Sequence, residues 1–167
     1  ETSKLSREHA VASPSPGLVS IAGGKYTTYR VMAADAVDAC TDFIPTRVAD
    51  SITERVPLIG ADGYFALVNQ CDHLGERYGL HPYRIRRLLN RYGSLIDEVL
   101  AAAAKDATLL EPLAAAPQYL RVEIDYAARC EGALHLEDLL ARRTRISIEY
   151  AHRGVDCAGE VADIVAP

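Results

Sequence analysis

The chain has 167 residues, 49% of them hydrophobic and 25% charged, and carries a net charge of −5. That apolar fraction excludes a disordered tract, and the length supports one domain with a modest core, or one domain plus part of another. The acidic balance, with a pI near 5.5, excludes the basic face that nucleic-acid binding requires, and the alanine-rich stretch from Leu100 stops at Lys105-Asp106, too soon to cross a bilayer or serve as a signal peptide.

In chain order, Glu1 to Ala12 and Leu18 to Ala22 read as two strands joined in a hairpin by Ser13-Pro14-Ser15-Pro16-Gly17, since proline and glycine fix the backbone angles of a turn. From Thr28 the period changes. Tyr29, Met32, Ala33, Ala36, Val37 and Cys40 form an apolar helical stripe, with Thr27 or Thr28 as the N-cap oxygen. Residues 43–63 break the pattern with Pro45, Pro57 and Gly60 and read as a linker. Helices are then expected over Tyr64 to Tyr78 (stopped by Gly79), Pro82 to Tyr92 and Ser94 to Ala104 (capped by Ser94). Further helices are expected over Leu109 to Ala116, Val122 to Glu131, Leu134 to Arg143 and Val155 to Val165, while Ile146 to Tyr150 reads as a strand or an extended crossing.

The chemistry concentrates between the second strand and the first helix, at Gly23-Gly24-Lys25-Tyr26-Thr27-Thr28-Tyr29-Arg30. A helix start exposes unpaired amides and the positive end of the helix dipole, so a phosphate or flavin oxygen is a natural partner, with Lys25 in reach. Taken alone, the glycine pair reads as a tight structural turn, Lys25 as a solvated lysine, and Arg7 as a surface strand residue. A nucleotide-triphosphate loop is excluded, because Val19 stands where that motif needs glycine and Tyr26 where it needs serine or threonine.

With the residues that follow the glycines, the turn resembles that of the flavin-dependent glycerol-3-phosphate dehydrogenases, as do Leu5-Ser6-Arg7-Glu8-His9 upstream and Leu139-Leu140-Ala141-Arg142-Arg143-Thr144-Arg145 downstream. The resemblance implies that Arg7 and Lys25 hold the phosphate and hydroxyls of glycerol 3-phosphate, and that Gly24, Lys25 and Thr27 approach the ring of FAD. It implies oxidation of sn-glycerol 3-phosphate to dihydroxyacetone phosphate, with electrons passed to a quinone. Tyr26 and Tyr29 read as packing residues. The catalytic base is unassigned, His9 being the nearest candidate.

The fold expected is mainly α: a helical bundle over 64–167, preceded over 1–42 by a small α+β remnant of the FAD-binding catalytic domain, with 43–63 between them. The chain starts at Glu1 without an initiator methionine and lacks the G-x-G-x-x-G dinucleotide fingerprint, so it is expected to be the C-terminal part of a longer enzyme and inactive alone. Its partners would then be the remaining FAD-binding domain, glycerol 3-phosphate and a quinone. The expected location is cytoplasmic, with any membrane association peripheral or through residues outside this segment.

Cys40, Cys71, Cys130 and Cys157 form no C-x-x-C pair, and His9, His73, His81, His135 and His152 no zinc-site spacing, so reduced thiols and no metal are expected. Arg84, Arg86, Arg87 and Arg91 read as a solvated face paired with Asp72, Glu76 and Asp97. Arg142, Arg143 and Arg145 read as cations at a helix C-terminus, with Glu137 or Asp138 as partners. The rival reading, from another class, is a noncatalytic helical domain that mediates protein interaction or dimerisation.

Overall fold

The computed structural model describes residues 8–166, so Arg7 and the start of the expected first strand lie outside the described residues. The chain is mainly helical, and its only strands among the described residues form one antiparallel hairpin. It divides into two compact units, Glu1–Leu58 and Ile59–Pro167.

In the first unit, β1 (His9–Ser15) pairs with β2 (Leu18–Gly23), placing His9 opposite Gly23 and Val11 opposite Ile21. The strand runs further than expected, through Pro14, because the register slips between Ala12 and Ser15 and the missing proline amide is tolerated there. The reversal is confined to Pro16-Gly17, with Gly17 at φ 78°. A 3-10 turn, Tyr26–Thr28, leads into α1 (Tyr29–Thr41). No residue of α1 is fully buried, and its stripe is only partly covered. Tyr26 is 91% exposed and Tyr29 48%; the expected packing role is replaced by a contact between the two rings, 6.0 Å apart.

In the second unit, the helix expected over Tyr64 to Tyr78 is two, α2 (Tyr64–Val68) and α3 (Cys71–Tyr78), broken at Asn69-Gln70. Leu74 N–H donates to the Gln70 carbonyl at 2.9 Å, so the ladder restarts after the break. Gly79, in the left-handed conformation, ends α3 as expected. The next helix, α4 (Pro82–Tyr92), has proline in its first turn and His81 accepting from the Tyr83 amide at 3.1 Å. Ser94 caps nothing. Its amide donates to the Gly60 carbonyl at 2.9 Å, and the stretch is a 3-10 turn followed by α5 (Ile96–Leu100) and another 3-10 turn over Ala101–Ala104.

The expected helix over Leu109 to Ala116 reduces to a 3-10 turn, Ala107–Leu110. Pro112 then pairs with Leu120 in an antiparallel bridge, and the chain between them folds inward to bury Leu113, Ala116 and Tyr119. After α6 (Arg121–Cys130), a π-helical turn over Asp138–Arg143 leads to Thr144, whose amide and hydroxyl both return to the Leu139 carbonyl, at 3.0 and 2.6 Å. Ile146 to Tyr150 is not extended: Ile146–Glu149 forms α7. The last helix, α8 (Ala158–Val165), starts later than expected because Val155 to Cys157 form a 3-10 turn, which follows a break where His152, Arg153 and Gly154 adopt positive φ values of 52°, 57° and 76°.

Two hydrophobic clusters make up the core of this unit, and α6 serves both. Its Val122 and Tyr126 join Ile85, Leu88, Leu89, Ile96 and Val99, while Ile124 and Ala127 join Leu113, Tyr119, Leu139, Ile146 and Val161. A third side of α6 buries Glu123, 2% exposed. Its Oε2 accepts the Leu120 amide at 2.9 Å, satisfying an orphan donor at the helix start, and its Oε1 meets Arg91 Nε at 3.2 Å. The arginines of α4 are only in part the solvated face expected: Arg86 is exposed, but the carboxylates named for them do not pair with them. Asp97 is taken by Arg77 at 3.3 Å, and Arg91 reaches inward to Glu123.

Glu123→Gln is expected to destabilise the unit by about 3 kcal/mol, because Arg91 loses its buried counter-charge; the midpoint and slope of urea unfolding measure it. Gly93, at φ 55° and ψ −131°, occupies backbone space reserved for glycine, and an added Cβ would lie 1.8 Å from the Gly60 carbonyl oxygen. Gly93→Ala should therefore lower stability by at least about 2 kcal/mol. Gly132→Ala, at φ 66° with open space around it, should cost about 1 kcal/mol, and the thermal midpoints should rank the two in that order.

Candidate functional site

The first unit presents the turn at Gly23-Gly24-Lys25 as an exposed cationic edge. Both glycines have positive φ, 83° and 76°, conformations that a side chain would strain. An added Cβ on Gly24 would sit 2.4 Å from Met32 Sδ and 3.3 Å from His9 Cβ, so the backbone, α1 and β1 close tightly at this point. Lys25 is exposed and its side chain makes no ion pair among the described residues.

Thr28 shapes the turn from inside. Its hydroxyl accepts from the Lys25 amide at 3.2 Å and donates to the Lys25 carbonyl at 2.9 Å, so it ties the turn together and does not cap the first amides of α1 as expected. Thr27 is exposed. With the Lys25 amide committed to Thr28, the amides left open by position at the start of this helical path are those of Tyr26 and Thr27. Gly24 is half-buried while Lys25 and Thr27 are exposed, all within one turn; Arg7 lies outside the described residues.

Sequence reasoning missed Asp35. It lies on α1, and its Oδ2 meets His9 Nε2 at 2.6 Å, with the His9 side chain 17% exposed. The pair joins β1 to α1 on either side of the turn. No local motif signals it, because 26 residues separate the partners and a lone aspartate on a surface helix is ordinary.

Other chemistry is sparse. Among the described residues no group of three or more His, Cys, Asp or Glu is placed to hold a metal. All four cysteines are free, Cys71 and Cys157 buried and Cys40 and Cys130 exposed. No helix of the described residues is long and apolar enough to cross a membrane.

The family described as the C-terminal domain of alpha-glycerophosphate oxidase matches residues 51–167. The chain belongs to that family. Over its whole length it is 73% identical to glycerol-3-phosphate dehydrogenase 2 of Mycobacterium tuberculosis (strain ATCC 25618 / H37Rv) and 68% identical to glycerol-3-phosphate dehydrogenase of Mycobacterium leprae (strain TN). Over 99% of its length it is 33% identical to the mitochondrial glycerol-3-phosphate dehydrogenase SDP6 of Arabidopsis thaliana. The chain spans 28% of the length of each of these relatives.

The resemblance seen in the turn and in the Leu139–Arg145 segment therefore holds at the level of the family, and the mainly helical fold agrees with it. Gly24→Ala should push Met32 and the His9 ring apart from the turn. The expected outcome is loss of the His9–Asp35 contact, visible as a change in the His9 ring nitrogens in 15N-edited spectra; an unchanged signal would contradict the tight closure described for Gly24.

Proposed function

We propose that this chain is the C-terminal part of a FAD-dependent dehydrogenase that oxidises sn-glycerol 3-phosphate to dihydroxyacetone phosphate. On this reading residues 1–42 complete the FAD-binding catalytic domain, 43–63 link it to the rest, and 64–167 form the helical domain. The enzyme works in the cytoplasm, with peripheral association at the cytoplasmic face of the membrane. The observation that carries the reading is the exposed Gly24-Lys25 turn at a helix start, in a chain whose relatives of several-fold greater length bear the name glycerol-3-phosphate dehydrogenase.

The residues present fit a flavin's anionic end, because the turn offers open amides and an unpaired cation on one exposed edge. FAD, when bound, supplies the hydride acceptor and hands the electrons on to a quinone. Gly24, lacking a side chain, lets the backbone come close to the ring, and Thr27 adds a hydroxyl donor. Lys25 places positive charge where negative charge develops, which lowers the barrier because the charge is held in position before the reaction starts. Lys25 and Arg7 together hold the substrate's phosphate and hydroxyls, Arg7 with a planar fork suited to two oxygens at once. The His9–Asp35 bond, by joining the strand before the turn to the helix after it, keeps Lys25 in place.

Anaerobic addition of glycerol 3-phosphate to the flavin-loaded enzyme, with loss of the oxidised-flavin absorbance followed in time, tests this reading. Rapid bleaching is expected, slowed by about a hundredfold or more in Lys25→Ala. Absence of bleaching in the wild-type enzyme would overturn the assigned reaction, and equal rates in the variant would overturn the role of Lys25.

A further inference from the structure

The second unit holds a separate feature that the dehydrogenase reading does not use. Between α4 and the segment that follows the π-helical turn lies an open cleft of about 490 Å³, within the size range of small-molecule sites. Arg87 and Arg91 enter it from α4, and Arg143 and Arg145 from the other side. Like charges one helical turn apart repel; Arg142, the fifth arginine of the lining, is paired with Glu137 and Asp138, and the other four require something to hold them.

Part of the support is internal. Arg87 and Arg91 both lie over the ring of the buried Tyr119, each 5.2 Å from its centre. Arg91 pairs with Glu123, and Arg143 Nε donates to the Glu131 carbonyl at 2.8 Å. The Tyr119 hydroxyl accepts from the Arg145 amide at 3.1 Å and donates to Glu149 at 2.8 Å, fixing the far wall. The compensation is incomplete, because neither Arg87 nor Arg145 has an ion-pair partner among the described residues.

A second observation is that two buried polar atoms of the lining are under-satisfied: Glu131 Oε2 has no hydrogen-bond partner, and the hydroxyl of Tyr92, a residue 6% exposed, has Arg91 beside it but no acceptor for its proton. Burial, and after it the nearby Glu123, push the Tyr92 hydroxyl well above its ordinary range, so it stays protonated and is a donor without an acceptor. A polar atom left so costs on the order of 1–3 kcal/mol. The cleft therefore lacks one acceptor for Tyr92 and one donor for Glu131, and no carboxylate among the described residues pairs directly with Arg87 or Arg145, although Glu123 lies within electrostatic reach of Arg87 and Glu149 stands in the wall.

We propose that this cleft binds a small hydroxylated organic phosphate, whose phosphoryl oxygens meet Arg87, Arg91, Arg145 and the Tyr92 hydroxyl while one of its hydroxyl groups donates to Glu131. Arginine forks suit phosphoryl oxygens, and a carboxylate beside them selects a ligand that brings its own O–H. The site lies wholly within the second unit and does not depend on the assignment of the Lys25 turn.

Calorimetric titration of the 167-residue chain with inorganic phosphate and with glycerol 3-phosphate, at constant ionic strength against sodium chloride, tests the proposal. Saturable binding of both is expected, tighter for glycerol 3-phosphate. The Arg87→Gln/Arg145→Gln variant, shown to be folded by circular dichroism, should bind at least about tenfold more weakly. Glu131→Gln should narrow the gap between the two probes, and Tyr92→Phe, which keeps the ring, should weaken both. Heats no larger than those from chloride, or binding unchanged in the folded double variant, would overturn the proposal and leave the arginines as a surface for an acidic protein segment.

Discussion

One buried carboxylate organises the second unit. Glu123 has no route to water, so its charge is tolerable only while the Leu120 amide and Arg91 surround it. Burial pushes its carboxyl above the usual range, and Arg91 first, then the Leu120 amide, draw it back. Arg91, held there, cannot swing to solvent; its guanidinium lies over Tyr119 and donates to the Arg143 carbonyl. A single charge thus starts α6, anchors α4 and positions the segment after the π-helical turn. Replacing both partners by apolar groups would remove the desolvation cost, but also the orientation of everything that rests on Arg91.

The first unit is organised differently. It has almost no buried surface among its described residues, and its geometry is set by hydrogen bonds and by the space that glycine leaves open. Gly24 admits Met32 and His9 to the turn, Thr28 closes it from within, and His9–Asp35 closes it across the strand and helix. The result is an exposed turn carrying Lys25, held by hydrogen bonds and close backbone approach with little hydrophobic burial.

Local chemistry made much of this legible in the sequence. The hairpin, α1, α4 and α6 follow from period and breakers, and the glycine pair marks the turn between β2 and the helical path, but not the exposure of Lys25. The misses came where tertiary contacts override local preference. Ser94 looks like a cap until Gly60 claims its amide, and Ile146 to Tyr150 looks extended until Thr144 folds back on Leu139 and lets a helix begin. Arg91 looks solvated because Glu123, its actual partner, lies more than thirty positions along the chain and carries no spacing signal. Asp35 was hidden for the same reason.

The burial of α6 in both hydrophobic clusters has a further bearing on how this unit comes apart. Two cores that share a helix cannot melt in turn, since loosening either frees a side of α6 on which the other depends. Amide exchange across both clusters should therefore draw on one common opening. The cores must also drift together over evolutionary time, a change of side-chain volume on one side of α6 being felt on the other through a shift of the same rod.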